Sequence, residues 1–469
     1  MNISQIQNGL RNKEFSATEI VHQYLDTIVK TDSDVHAFLE VYHEDAIESA
    51  KNVDEYLASG GEQLPMTGVP IAIKDNMLIN GKKTTCASKI LENYTATYDA
   101  GVIKKLKNQK AIFLGKTNLD EFAMGSSTEF SAYGPTKNPH DLERVPGGSS
   151  GGSAASVAAN MSPASLGSDT GGSIRQPAHC CGVVGFKPTY GAVSRAGIIA
   201  LASSLDQVGP FANTVEDAEI VFKAIAGKDP YDNTSANKLS PAVEGLNPAS
   251  LRIGIPKEYF IEGIEPEVAK AIQSTIDFYR SLGAQIKEVS LPHSKYALSA
   301  YYLIQPAEAS SNLARFDGIR YSPVPGVERE GLNLGELYRQ NKGKGFGPET
   351  TRRILLGTYA LSSGYYDAYY KKAIEAEEYI TDDFNKVFEE VDVLLTPTAP
   401  TRAFKIGEKL DDPLQMYLSD IFTIPVNLAG LPAISIPVRQ LTELPIGFQL
   451  IGKKWHDLSL LQTAQLYER

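Results

Sequence analysis

The groups best suited to chemistry lie between residues 147 and 175. Gly147-Gly148-Ser149-Ser150-Gly151-Gly152-Ser153 opens this stretch, and Gly167-Ser168-Asp169-Thr170-Gly171-Gly172-Ser173-Ile174-Arg175 closes it. Glycine admits backbone conformations closed to other residues and lets a substrate approach main-chain N–H groups closely. The chemistry on offer is therefore that of serine hydroxyls backed by backbone donors. A serine hydroxyl is too weak an acid to attack unaided and needs a neighbouring base.

Histidine is one candidate base, because Gly147-x-Ser149-x-Gly151 matches the nucleophile elbow of α/β-hydrolases. That elbow must follow a strand, whereas Leu142–Pro146 is short, charged and broken by proline. The late histidines, His293 beside Pro292 and His456 after Lys453-Lys454-Trp455, sit in unpromising contexts. A phosphate-cradling loop also fails, since no Gly-Lys-Ser/Thr closes the stretch and no Gly-x-Gly-x-x-Gly follows a strand. Lysine remains. Lys74 ends the apolar run Val69–Ile73, where burial favours its neutral form. A shift of about 3 units from about 10.4, roughly 4 kcal/mol, brings an amine to neutral pH. A surface ion pair between Lys74 and Asp75 is the competing reading. Ser150 and Ser153 read as helix-capping hydroxyls.

The elements that must position these groups follow from periodicity. Ser16-Ala17-Thr18-Glu19 is a capping box opening a helix through Ile28, and a second helix runs from Glu44 to Leu57. Val69–Ile73 and Ala111–Gly115 read as buried strands, with a helix from Gly101 to Gln109 before the second. Ala154–Ala159 is a small-residue helix between the two serine segments. After a linker-like stretch, residues 228–250, the pattern resumes: strand Leu251–Ile255, helix Glu265–Leu282, strand Ala284–Val289. Helical sequence dominates from about 296 to 390 and gives way to late strands at Val391–Leu395, Ala433–Pro437 and Ile446–Ile451. This β-α-β rhythm predicts an α/β fold in which one largely parallel or mixed sheet is built from the whole chain, a single domain over 1–469.

Composition excludes several functions. With 45 basic against 56 acidic residues, a formal net charge of −11 at pH 7, the chain is poorly suited to gripping a polyanion by itself. Three cysteines, Cys86, Cys180 and Cys181, make no disulfide framework and fit a reducing compartment. His179 beside Cys180-Cys181 lacks the separated spacing of a metal site, so no metal is expected. No signal peptide and no apolar run of about 18 residues is visible, which predicts a cytoplasmic protein without a membrane span.

Val69-Pro70-Ile71-Ala72-Ile73-Lys74-Asp75, the region from Gly147 to Ser173, and Gln176-Pro177-Ala178 through Gly191 closely resemble, in order and spacing, the amidase signature family. The resemblance implies a large central mixed sheet flanked by helices on both faces, and a Ser–Ser–Lys triad. By motif position it makes Ser149 the nucleophile, Ser173 the bridging serine after a cis peptide bond at Gly172–Ser173, and Lys74 the terminal base. It assigns the oxyanion hole to the N–H groups of Thr170, Gly171, Gly172 and Ser173, with Asp169 and Arg175 ordering that loop.

Which amide is cleaved must be argued from other residues. A pocket selecting glutamine should supply an acid for its ammonium and an arginine fork for its carboxylate. Thr351–Thr358, Ser362–Tyr366, Tyr417–Phe422, Glu308–Leu313 and Arg315–Gly318 are similar to segments of the A subunits of tRNA-dependent amidotransferases, a branch of that family. By that resemblance Arg353 holds the α-carboxylate, Asp420 holds the α-ammonium, and Tyr301 or Tyr302 lines the pocket. The branch hydrolyses glutamine without a cofactor of its own. It passes ammonia to a partner, the B subunit, which binds tRNA and uses ATP and Mg2+ to convert Glu-tRNA(Gln) to Gln-tRNA(Gln). A small third partner, the C subunit, helps the pair assemble. The alternatives are a stand-alone amidase with the same triad and a non-enzymatic scaffold keeping the fold.

Overall fold

The short apolar runs form strands because they are buried on both faces, as expected of a sheet covered by helices. In the computed structural model, which describes residues 1–260, 262–439 and 443–468, eleven strands join in one mixed sheet. They are β1 (Phe38–Val41), β2 (Pro70–Lys74), β3 (Ile112–Thr117), β4 (Ala164–Asp169), β5 (Val184–Lys187), β6 (Gln207–Ala212), β7 (Arg252–Pro256), β8 (Gln285–Val289), β9 (Val393–Pro397), β10 (Ala433–Pro437) and β11 (Gly447–Gly452). Their order across the sheet is β1-β3-β2-β4-β6-β5-β10-β11-β9-β7-β8. Helices pack against this sheet, and the architecture is the α/β one expected from the sequence.

The site is positioned by the parallel β3-β2-β4 unit. Its strands run in register, with Lys74 opposite Thr117 and Ile73 opposite Leu166, so Lys74 and Asp169 emerge at the same edge. Ligands in open α/β sheets gather outside the carboxyl ends of the strands. The helix Gly151–Ala158 lies across this unit, against β2, β3 and β4. Its small residues are required: a Cβ on Gly152 would sit 2.5 Å from the carbonyl oxygens of Ala37 and Asn118.

Periodicity located most elements to within two or three residues, the helix Ala17–Val35 and its capping box among them. It did not find β1, β4 or β6. β4, Ala-Ser-Leu-Gly-Ser-Asp, is too small and polar to read as a strand, yet every residue of it is buried. Residues 228–250 are irregular up to a single 3-10 turn at Pro248–Ser250. They do not hang free: Asp229 accepts a hydrogen bond from Ser194, and Asp232 pairs with Arg195.

Candidate active site

β2 delivers Lys74 into a fully buried position among three hydroxyls. Its Nζ lies 2.8 Å from Ser149 Oγ, 2.7 Å from Ser150 Oγ and 2.9 Å from Ser168 Oγ. Burial pushes the amine down to about 7, against the pull of nearby anionic groups that include Asp120, Asp169 and Asp206. The surface ion pair with Asp75 does not form. Asp75 is itself buried and pairs with Lys116 at 2.8 Å, while the Thr85 hydroxyl and N–H donate to its other oxygen.

The two elbow serines hold different positions from those expected. The cis peptide bond is at Gly148–Ser149 and not at Gly172–Ser173. Ser149, with no solvent exposure, is the serine in direct contact with Lys74. Ser173 makes no hydrogen bond to Lys74 and keeps 8 % exposure. The expected order Lys74–Ser173–Ser149 is therefore reversed in space, because Lys74 and Ser149 face each other across β2 and the start of the helix. A backbone hydrogen bond from Ser150 N–H to Ser173 C=O ties the two elbows together. Ser150 and Ser153 do not cap the helix: no side chain caps its first turn. Ser150 accepts from Lys74 and donates to the Ser168 carbonyl, and Ser153 bonds Thr117 Oγ1 and the Leu166 carbonyl.

Beyond β4 the chain runs through Thr170, Gly171 and Gly172 to Ser173. Among the described residues, none of these four N–H groups donates a hydrogen bond, which leaves a row of free donors beside the Ser173 hydroxyl. The loop is braced from behind. Asp169 and Arg175, both fully buried, form a two-pronged pair with both distances 3.0 Å. Burial works to raise the Asp169 carboxyl, but the charge and hydrogen bonds of Arg175 outweigh it and hold the group at about 2. Asn427 donates to Asp169, and Gln449 accepts from Arg175. The Thr170 hydroxyl donates to Asp206 at 2.7 Å. Gly172 sits at φ +149°, and a Cβ there would meet Thr423 Oγ1 at 2.3 Å.

The residues expected to select the substrate converge on this loop from the second half of the chain. Asp420 is nine-tenths buried, and one oxygen accepts a hydrogen bond from Ser126. The other, Oδ1, is buried without a partner and lies beside Gly172. Burial raises the Asp420 carboxyl to about 7. Tyr301 abuts Gly171, where a Cβ would come within 2.7 Å of its ring. Tyr302 stacks on Tyr417 with ring centroids 3.8 Å apart, and the Arg353 guanidinium lies over both rings. Arg353 is held by Glu349 at 2.8 Å and Gln305 at 2.7 Å. Burial opposes its charge, yet the surrounding tyrosines and Glu349 raise its pKa further.

Sequence reading had missed Ser126, Ser168, Asp206 and Tyr417 as members of this cluster. A glycine-flanked serine such as Ser126 in Gly125-Ser126-Ser127 carries a weak signal, and the others carry none before the fold is known. The hydrolase-type reading gains no support, since His293 is bonded to Asp383 and no imidazole hydrogen-bonds Ser149 or Ser173 among the described residues. His179 lies buried between the Gly447 N–H and the Thr401 carbonyl.

A family model described as Amidase matches residues 19–461. The chain is 56% identical over 472 residues to the A subunit of the glutamyl-tRNA(Gln) amidotransferase of Carboxydothermus hydrogenoformans, a match covering 100% of this chain and 97% of that protein. Among solved structures it is similar to the A subunit of the glutamyl-tRNA(Gln) amidotransferase of Thermotoga maritima, with TM-score 0.81 and 44% identity over 98% of this chain and 93% of that one. It is also similar to the native peptide amidase of Stenotrophomonas maltophilia, with TM-score 0.83 and 28% identity over 100% and 96% of the two chains.

Proposed function

We propose, from the premise that this chain belongs to the amidase signature family, that it is the glutamine-hydrolysing A subunit of a tRNA-dependent amidotransferase. The relatives at more than half identity carry that name along their full length. Ser173 is the nucleophile in this reading, Ser149 the relay and Lys74 the base. The observation that carries this order is the buried 2.8 Å contact of Lys74 with Ser149, while Ser173 stands at the exposed end beside the free N–H row.

The Ser173 Oγ attacks the side-chain carboxamide carbon of glutamine. Its proton passes to Ser149 Oγ as the Ser149 proton passes to neutral Lys74. Negative charge develops on the amide oxygen and is met by the N–H groups of the 170–173 loop, which stabilise it where water is excluded. Collapse breaks the C–N bond, the relay returns the proton to the leaving nitrogen, and ammonia departs. Water then attacks the γ-glutamyl ester by the same relay and releases glutamate.

The substrate's own charges fit the second-half residues. The unpartnered Asp420 Oδ1 beside Gly172 suits an ammonium, and the Arg353 fork suits a carboxylate. The ammonia goes to the partner B subunit, which takes ATP, Mg2+ and tRNA, with the small C subunit in the assembly. The acidic balance of this chain agrees with leaving tRNA to the partner.

Acid quenching during turnover of labelled glutamine, followed by peptide mapping, tests the reading. The expected result is a glutamyl ester on Ser173. An ester on Ser149 would reverse the two serine roles. No ester from glutamine, with rapid turnover of unrelated amides, would favour a stand-alone amidase.

A further inference from the structure

A neutral amine has two N–H donors and one lone pair, so a lysine acting as a base must spend its donors elsewhere. Lys74 Nζ has three hydroxyls within 2.9 Å, and their own bonds decide which of them it accepts from. The Ser150 hydroxyl donates to the Ser168 carbonyl at 3.0 Å, so toward Lys74 it can only accept. Ser168 Oγ takes a hydrogen bond from the Asn76 amide at 2.9 Å and another from Lys74. The Ser149 hydroxyl has no acceptor other than Lys74 among the described residues. Asn76 and Ser168 are themselves nearly fully buried, and β4 holds Ser168 between β2 and β6, opposite Val208.

We infer that Ser168, anchored by Asn76, is a positioning residue that occupies one N–H of Lys74 and so turns the amine's lone pair toward Ser149. The inference rests on the reading of Lys74 as the terminal base. Without the Ser168 hydroxyl, the freed N–H can rotate toward Ser149 and donate where it should accept. The ammonium form also loses an acceptor in a site with no water to replace it. Charge-assisted hydrogen bonds are the stronger ones, so that loss falls mainly on the protonated amine and lowers its pKa.

The test is the rate at which a small sulfonyl fluoride modifies the site serine in the intact chain as a function of pH. That readout is independent of which amide is the natural substrate. Ser168→Ala is expected to label at least about tenfold more slowly at its plateau. Its acid limb should move to lower pH by roughly half a unit to one unit. Ser168→Thr, which keeps the hydroxyl, should restore both, and Asn76→Ala should move both in the same direction by less. A Ser168→Ala chain with the wild-type rate and limb overturns the inference, as does a slower rate with an unmoved limb, which is the mark of general loosening. If Ser168→Ala does not fold, an unmoved limb in Asn76→Ala overturns it equally. Wild-type labelling with no acid limb would instead sink the base role of Lys74.

Discussion

At the residue scale, two titratable groups govern the proposed reaction, and they fail on the same side of neutrality. Lys74 must be neutral to accept a proton, and burial has brought it down to about 7. Asp420 must be ionised to hold an ammonium, and burial has brought it up to about 7. Both are in their working forms above that value, and both are protonated below it. The pH dependence of kcat/KM reports the groups of the free enzyme. With glutamine, log kcat/KM should therefore fall below pH 7 with a slope approaching two. A sulfonyl fluoride, which has no ammonium to be held, should show a slope of one. Equal slopes for the two reagents would remove Asp420 from substrate binding.

At the element scale, the loop after β4 does the work of two separate devices, a nucleophile and a set of oxyanion donors. It holds its shape through the Asp169–Arg175 pair, which links the end of β4 to the helix Arg175–Cys181 and to Asn427 and Gln449. A buried pair of this kind is costly to break from one side, because the surviving charge is left without a partner. Arg175→Ala should destabilise the chain by about 3–5 kcal/mol, read from the urea midpoint. Replacing both members, Asp169→Asn with Arg175→Gln, should cost less than Arg175→Ala alone. A single-mutant loss below about 1 kcal/mol would mean that the loop is braced by its other contacts.

At the scale of the whole molecule, the sheet brings together groups far apart in the chain. Strands β9 to β11, from the last fifth of the sequence, pair with one another, with β5 and with β7, and so carry Asn427 and Gln449 to the loop after β4. The same molecule carries a formal net charge of −11. Isolated chain at micromolar concentration should therefore not retard tRNA at physiological salt, where non-specific binding by basic proteins has Kd of roughly 10⁻⁴ to 10⁻⁶ M. Salt-dependent retardation by this chain alone would call for a basic surface and would overturn the assignment of tRNA to a partner. No helix of the described residues is long and apolar enough to cross a membrane.

Much of this was legible in the order of residues. Glycine-serine elbows, an apolar run ending in Lys74 and a doublet of Asp169 and Arg175 are local patterns, and local patterns report on backbone freedom, burial and charge. They predicted an α/β sheet, a buried lysine and a braced loop without reference to any contact. What they could not decide was the order of the two serines around the lysine. Ser149 and Ser173 occupy equivalent-looking Gly-Gly-Ser elbows, 75 and 99 residues after Lys74, and distance along a chain carries no information about which hydroxyl faces an amine. That choice was made by the parallel pairing of β2 with β4 and by the helix laid across them, which set Ser149 against Lys74 and left Ser173 at the exposed mouth.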